Sequence, residues 1–271
     1  MKKEDIKVCI LRVGGTNCDI ETKRAFNDLG VVANVVHTNK ILKEKNLLEY
    51  DVLVFPGGFS YGDYIRAGAI WGKRIKTKLG SELRKFDEEG RLVLGICNGF
   101  QVLVEAGLLP DFEGFNESPT AALASNTSIK YECRWIYLKH ENSGKCIFTK
   151  RIQKGKRIFM PVAHAEGRFI FPKKKEDEYL KKIYCNDQLV FRYCNEKGKY
   201  ADGKYPTNPN GAFHDIAGIC NTNGNVFGLM PHPERAYYGW QLPNWTERLH
   251  ILRYGDGRLL FEAMVDYLVN R

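Results

Sequence analysis

The sequence predicts an α/β protein, a mostly parallel central sheet flanked by helices with an added antiparallel section. Three observations carry that reading. In the first hundred residues, short apolar runs rich in β-branched side chains alternate with helical segments through short connections, the pattern of a parallel sheet covered on both faces. In the second half the apolar residues switch to a period of two, as in half-exposed antiparallel strands. Between the two regimes, one apolar run stops at a cysteine set between two glycines and continues as a helix.

Taken in order, Ile6–Leu11 is the first strand, and Gly14-Gly15-Thr16-Asn17 is the loop after it. Asn17 or Asp19 is expected to cap a helix running through Leu29, with Gly30 as its stop. Val31–Val36 is the second strand and Val52–Phe55 the third, broken by Pro56-Gly57-Gly58. The fourth runs from Arg91 to Ile96 and ends at Cys97. The next helix should bury Phe100, Leu103 and Val104 and stop at Gly107. Ile129, Tyr131, Cys133, Trp135 and Tyr137 then alternate with polar residues, and Asn142-Ser143-Gly144 reads as a turn into a further strand at Cys146-Ile147-Phe148. Ile158–Val162 and Leu189–Cys194 are also strands. Ile216–Asn221 and Val226–Met230 form a hairpin through Thr222-Asn223-Gly224-Asn225. A final helix places Leu260, Met264, Tyr267 and Leu268 on one face.

Composition fits one domain over residues 1–271: 44% of the residues are hydrophobic and 27% charged, with no repeat and no linker rich enough to divide the chain. No apolar signal region precedes the first strand and no run approaches a membrane span, so a cytoplasmic protein that contacts no membrane is expected. The net charge of +9 is dispersed; its tightest cluster, Lys173-Lys174-Lys175, is followed at once by Glu176-Asp177-Glu178, which reads as a solvated loop or helix start rather than a nucleic-acid stripe. The eight cysteines show no C-x-x-C and no paired ligand spacing. Seven read as structural thiols, with no metal.

The eighth is Cys97. In Gly95-Ile96-Cys97-Asn98-Gly99 the glycines remove side chains that would clash in a sharp strand-to-helix turn, as in the nucleophile elbow of serine hydrolases. The following helix N-terminus favours the thiolate, so Cys97 is placed as a nucleophile. Such a group needs a base and an acceptor that orients it. Two His-x-Glu pairs follow strand-like runs, His164-Ala165-Glu166 and His232-Pro233-Glu234, and spacing alone does not choose between them. His37, His140, His214 and His250 have no such partner and read as surface or core residues.

The elbow, the strand-end Pro56-Gly57-Gly58-Phe59-Ser60-Tyr61-Gly62-Asp63 and the late Pro231-His232-Pro233-Glu234-Arg235 resemble the class I (triad) glutamine amidotransferases. More narrowly, the segment Gly57–Gly68, Gly14-Gly15-Thr16-Asn17-Cys18-Asp19, Ala163-His164-Ala165-Glu166-Gly167-Arg168 and Val190-Phe191-Arg192-Tyr193 resemble the small, stand-alone glutaminase subunits of phosphoribosylformylglycinamidine synthase. The resemblance spans nearly the whole chain and implies a flavodoxin-like fold. It implies that Cys97 is the nucleophile, His232 the general base and Glu234 its orienting acid. Gly57, Gly58 and the N–H of Asn98 would hold the oxyanion, and Gln101, Asn126 and Ser128 would contact L-glutamine. His164, Glu166, Asp63 and Arg66 would support the site or touch a partner. It further implies no cofactor in this chain, ATP with Mg in a synthetase subunit that takes the ammonia, and a small accessory subunit. No phosphate-cradling Walker motif is present, in keeping with ATP being bound elsewhere. The rival readings are a glutaminase of another amidotransferase pathway and a DJ-1-like cysteine-elbow protein, which would need no His232–Glu234 pair.

Overall fold

The computed structural model describes residues 1–112, 119–247 and 252–271; His250 lies outside them. The first half winds as β1 (Lys7–Arg12), α1 (Asp19–Asn27), β2 (Val32–His37), α2 (Thr38–Glu44), β3 (Val52–Phe55), α3 (Ala69–Glu88), β4 (Leu92–Ile96) and α4 (Asn98–Ala106). The second half adds β5 (Ala122–Ala124), β6 (Glu132–His140), β7 (Arg157–His164), β8 (Arg168–Ile170), α5 (Glu176–Cys185), β9 (Leu189–Cys194), β10 (Ile216–Cys220), β11 (Val226–Leu229) and α6 (Arg258–Val269).

The expected parallel and antiparallel sections are one sheet. Its order is β2-β1-β3-β4-β11-β10-β9-β6-β7, parallel from β2 to β11 and antiparallel from there on, while β5 and β8 form a separate antiparallel pair. The predicted hairpin is β10–β11, and its return strand slots against β4 in parallel register, Ile96 opposite Leu229. Two distant chain segments thus end side by side at the carboxyl edge of the sheet, where open α/β sheets carry their ligands.

β3, β4 and β11 are buried along their whole lengths, as continuous apolar runs covered on both faces must be. α4 departs from the one-faced helix expected: Phe100, Val102, Leu103 and Val104 are all inaccessible, because the helix is sealed between the sheet and α3. Asn17 and Asp19 do not cap α1. Cys18 occupies the cap position without a side-chain bond; the Asn17 and Cys18 N–H groups donate instead to Gly57 O at 3.3 and 3.2 Å. Cys146–Phe148 is no strand either. Ile147–Thr149 is a 3₁₀ turn buried beneath α6, and Asn142 Oδ1 accepts from the N–H of Gly144 and Cys146 to form it; a three-residue apolar run has no period that separates the two outcomes. The alternating strand begins at Glu132 rather than Ile129, which is 90% exposed with φ 54°. All eight cysteines are free, and two of those read as structural, Cys133 and Cys185, are exposed. No helix among the described residues is long and apolar enough to cross a membrane.

Candidate active site

Cys97 stands between β4 and α4 with φ 51° and ψ −104°, a conformation that costs a non-glycine residue roughly 1–3 kcal/mol. Its neighbours enforce it. The Cys97 N–H donates to Leu229 O on β11 at 2.8 Å, and Cys97 O accepts from Gln101 N at 3.2 Å. Two residues on, a Cβ at Gly99 would lie 1.8 Å from Phe55 O, so the first turn of α4 presses directly on the backbone of β3. Gly99→Ala is therefore expected to destabilise the fold by about 3 kcal/mol or more, read as a lower urea midpoint at unchanged slope. A midpoint like the parent's would mean the elbow has slack.

Cys97 is 4% exposed, and its Sγ lies 3.5 Å from Ala163 O. His232 follows β11, fixed by its N–H to Pro161 O at 2.9 Å, and its Nδ1 is 2.6 Å from Glu234 Oε1 with both side chains buried. Burial pulls the imidazole's proton affinity down, but the Glu234 carboxylate and the Cys97 sulfur outweigh it and hold His232 well above its ordinary pKa. The other pair does not form. Glu166 turns away, its Oε2 accepting from Ala67 N at 3.0 Å, and His164 Nε2 sits 3.4 Å from Asn210 Nδ2. Burial first, and then the charge of His232, push His164 down to about 3, so it is neutral.

Gly57 and Gly58 continue β3 past its end. A Cβ on Gly57 would come 2.7 Å from His232 Cε1, and one on Gly58, with φ +149°, would come 2.6 Å from Gly15 O. The backbone after β3 is thus pressed against the imidazole on one side and the loop after β1 on the other. Asn98 opens α4, where the first N–H groups have no partner inside the helix. Its side chain ties the elbow to the loop after Gly58: Oδ1 accepts from Ser60 N at 3.2 Å, and Nδ2 donates to Gln101 Oε1 at 2.9 Å and Asp63 Oδ1 at 3.3 Å. Gln101 passes the chain on, donating to Glu166 O at 2.6 Å.

Cys97, Gly58, Asp63, Gln101, His164, Glu166 and His232 all line one cavity of about 170 Å³. Gly57, Asn98 and Glu234 back it. Asn126, Ser128 and Arg66 do not line it. Asn126 spends its side chain on the rim loop, donating to His164 O and Lys130 O and accepting from Gly167 N, all within 3.0 Å. Ser128 donates to Glu132 at 3.0 Å, and Arg66 makes a bidentate pair with Glu105 on α4.

Asp63 is pushed up to about 6 by burial and by the like charge of Glu166, against the opposing pull of Gly68 and Asn98. Between the unfolded carboxyl's pKa of about 4 and that value, the folded chain keeps a proton the unfolded chain has lost, so Asp63's contribution to stability falls as pH rises through this window. Asp63→Asn is expected to gain stability relative to the parent from about pH 4 to about pH 6. Urea midpoints across that range check it; a difference constant with pH would refute it.

Among the cavity residues that sequence reasoning did not single out, Cys18, Tyr131 and Arg235 carry polar groups that face the site. Arg235 donates to Glu21 at 3.0 Å and to Cys18 Sγ at 3.2 Å, and Cys18 Sγ lies 3.9 Å from His232 Nδ1. Cys18 is therefore no ordinary core thiol. Its Sγ, a ring nitrogen of His232 and a carboxylate oxygen of Glu234 lie within 4.8 Å of one another. Local spacing could not reveal this set, since 214 residues separate Cys18 from His232. The signal available was position, as Cys18 follows the first strand at the edge where ligands bind.

Residues 5–268 match the CobB/CobQ-like glutamine amidotransferase domain. The phosphoribosylformylglycinamidine synthase subunit PurQ of Archaeoglobus fulgidus is 51% identical, with 99% of each chain covered. That of Methanococcus maripaludis is 44% identical over 92% of this chain and 90% of its own. Among solved structures, a chain of PurLQS from Thermotoga maritima is 32% identical with a TM-score of 0.72, covering 97% of this chain and 99% of that one. Likeness of this extent admits one assignment: the chain belongs to the class I glutamine amidotransferases, in the family of PurQ subunits of phosphoribosylformylglycinamidine synthase.

Proposed function

We propose that the chain, acting over residues 1–271 as one domain, is the glutaminase subunit of a phosphoribosylformylglycinamidine synthase. It hydrolyses L-glutamine to glutamate and ammonia, and a synthetase subunit uses that ammonia with ATP and Mg to convert formylglycinamide ribonucleotide to formylglycinamidine ribonucleotide in purine biosynthesis. The observation that carries the chemistry is a cysteine held at a strained elbow in the same small cavity as an imidazole whose proton affinity a buried carboxylate raises. An imidazolium beside the sulfur stabilises a thiolate, and the pair is poised for attack.

In this reading Cys97 Sγ bonds to the carboxamide carbon of glutamine, and the oxygen becomes an oxyanion. The N–H groups at Gly57-Gly58 and of Asn98 hold it; loss of one such donor typically lowers turnover by about 10²–10³. His232 gives its proton to the departing nitrogen, the C–N bond breaks, and ammonia leaves a γ-glutamyl thioester. His232 then takes a proton from water, whose oxygen attacks the thioester and frees glutamate and the thiol. Glu234 accepts the Nδ1–H throughout and fixes the tautomer. Gln101, its amide pinned by Asn98 and Glu166, faces the substrate. Asn126 and Ser128 act only through the rim loop, and His164, Glu166, Asp63 and Arg66 brace the cavity wall. His164, being neutral, offers the product no proton, which matters because ammonium is not a nucleophile.

The names of the relatives support a synthetase partner, and we extend the reading to a small accessory subunit. Glutamate release from glutamine tests it, with the chain alone and with the synthetase subunit, its ribonucleotide and ATP. Release that rises on adding the loaded partner is the expected result, since such sites close when the partner is loaded. No release in any combination would return the DJ-1-like reading.

A further inference from the structure

We infer that Cys18, His232 and Glu234 form a binding site for a soft divalent transition metal, zinc being the representative, and that the bound metal arrests the active site. Thiol, imidazole and carboxylate are the donor types zinc takes, and all three are buried here with their ligand atoms within 4.8 Å of one another. Cys18 Sγ already stands 3.9 Å from His232 Nδ1. Zinc bonds of about 2.0–2.3 Å set ligand atoms roughly 3–4 Å apart, so the sulfur and the ring nitrogen already stand at ligand spacing, while Glu234 Oε1, 2.6 Å from Nδ1, must draw back to join them or yield to Oε2.

Three further features favour occupancy. Glu234 Oε2 is buried with no hydrogen-bond partner, so the carboxylate has a free oxygen beyond the one on His232. The ligands hang on fixed backbone: the Cys18 N–H is bonded to Gly57 O at 3.2 Å and the His232 N–H to Pro161 O at 2.9 Å. Cys18 and His232 also line the cavity, which supplies an entry path and a fourth position for water. Arg235 opposes a cation, since its guanidinium donates to Cys18 Sγ at 3.2 Å; but it also donates to Glu21 at 3.0 Å and keeps that partner when the sulfur turns to the metal.

On binding, Cys18 Sγ and His232 Nδ1 each release a proton to solvent and bond to the metal, together with a Glu234 oxygen; no electron moves. The Nδ1–H bond to Glu234 is replaced by a divalent charge, so His232 can no longer be relayed between its protonation states. The arrest of activity rests on the glutaminase reading above, whereas the metal binding does not.

The test uses cobalt(II) alone, titrated into the full-length Cys97→Ala chain so that the other cavity thiol is absent. A thiolate-to-cobalt charge-transfer absorption that saturates near one equivalent is expected, lost when Cys18→Ser or Cys18→Ala is added and weakened about 10-fold or more by Glu234→Gln. Either Cys18 variant must unfold at the parent's temperature, and having two guards against one that misfolds. No absorption, or an absorption unchanged without Cys18, overturns the site. In the assembled enzyme, zinc should suppress glutamine-fed but not ammonia-fed synthesis, with recovery on chelation. Equal suppression of both would refute the arrest while leaving the cobalt result to decide the site.

Discussion

Replacing Cys97 with alanine is expected to reduce glutamine-dependent synthesis by the assembled enzyme at least about 10⁴-fold while leaving ammonia-dependent synthesis within about twofold of the parent. The asymmetry follows from where the residue sits. Alanine accepts the positive-φ elbow at the same backbone cost as cysteine, and the N–H of residue 97 still reaches Leu229 O, so β4, α4 and the loop after Gly58 stay in place. Only the nucleophile at the elbow is gone, and without it the thioester cannot form there. Glutamate release and ammonia-fed product formation, measured on one preparation, check the prediction. Equal loss of both would mean that Cys97 holds the complex together rather than performing chemistry.

His232→Ala should lower glutaminase turnover by roughly 10³-fold or more, whereas His164→Ala should cost about tenfold or less. The two imidazoles occupy one cavity but differ in what surrounds them. His232 has a carboxylate 2.6 Å from Nδ1 that raises its proton affinity and leaves the other nitrogen to move a proton. His164 is neutral, bonded to Asn210 at 3.4 Å, and seated against Gly167, where any side chain would strike its ring. It fills space. Glu234→Gln separates geometry from charge: removing the carboxylate lowers the His232 proton affinity, so the pH at which His232 titrates in the rate profile moves down. His164→Ala exceeding His232→Ala in its effect on kcat would reverse the assignment.

The parallel half of the fold was legible because β3 and β4 are continuous apolar runs that lead into glycine turns, and a strand buried on both faces needs nothing else. The elbow was legible because Gly95, Cys97 and Gly99 are local: three residues in five carry the whole steric argument. What could not be read is what depends on approach across the sheet. Whether His164 or His232 has the carboxylate is decided by Ala67, whose N–H takes Glu166 away from His164. Asn126 looked like a substrate contact but is consumed by carbonyls of two other segments. Cys18 looked like any core thiol until Gly57, lacking a side chain, let it share a wall with His232. Cys146–Phe148 lacked the length to show a period, and the turn made by Asn142 decided its form.

The pairing of β4 with β11 sets the order in which this protein acquires its activity during synthesis. Cys97 and His232 follow adjacent parallel strands, yet about half of the chain is translated between them. β1 to β4 can assemble as soon as they leave the ribosome, since their contacts are close in sequence. The edge of β4 then waits, with the thiol-bearing elbow unsupported, until β11 arrives to accept the Cys97 N–H and to bring the base. A partly made chain therefore holds a cysteine but no glutaminase, and the cell is spared free ammonia from unfinished copies.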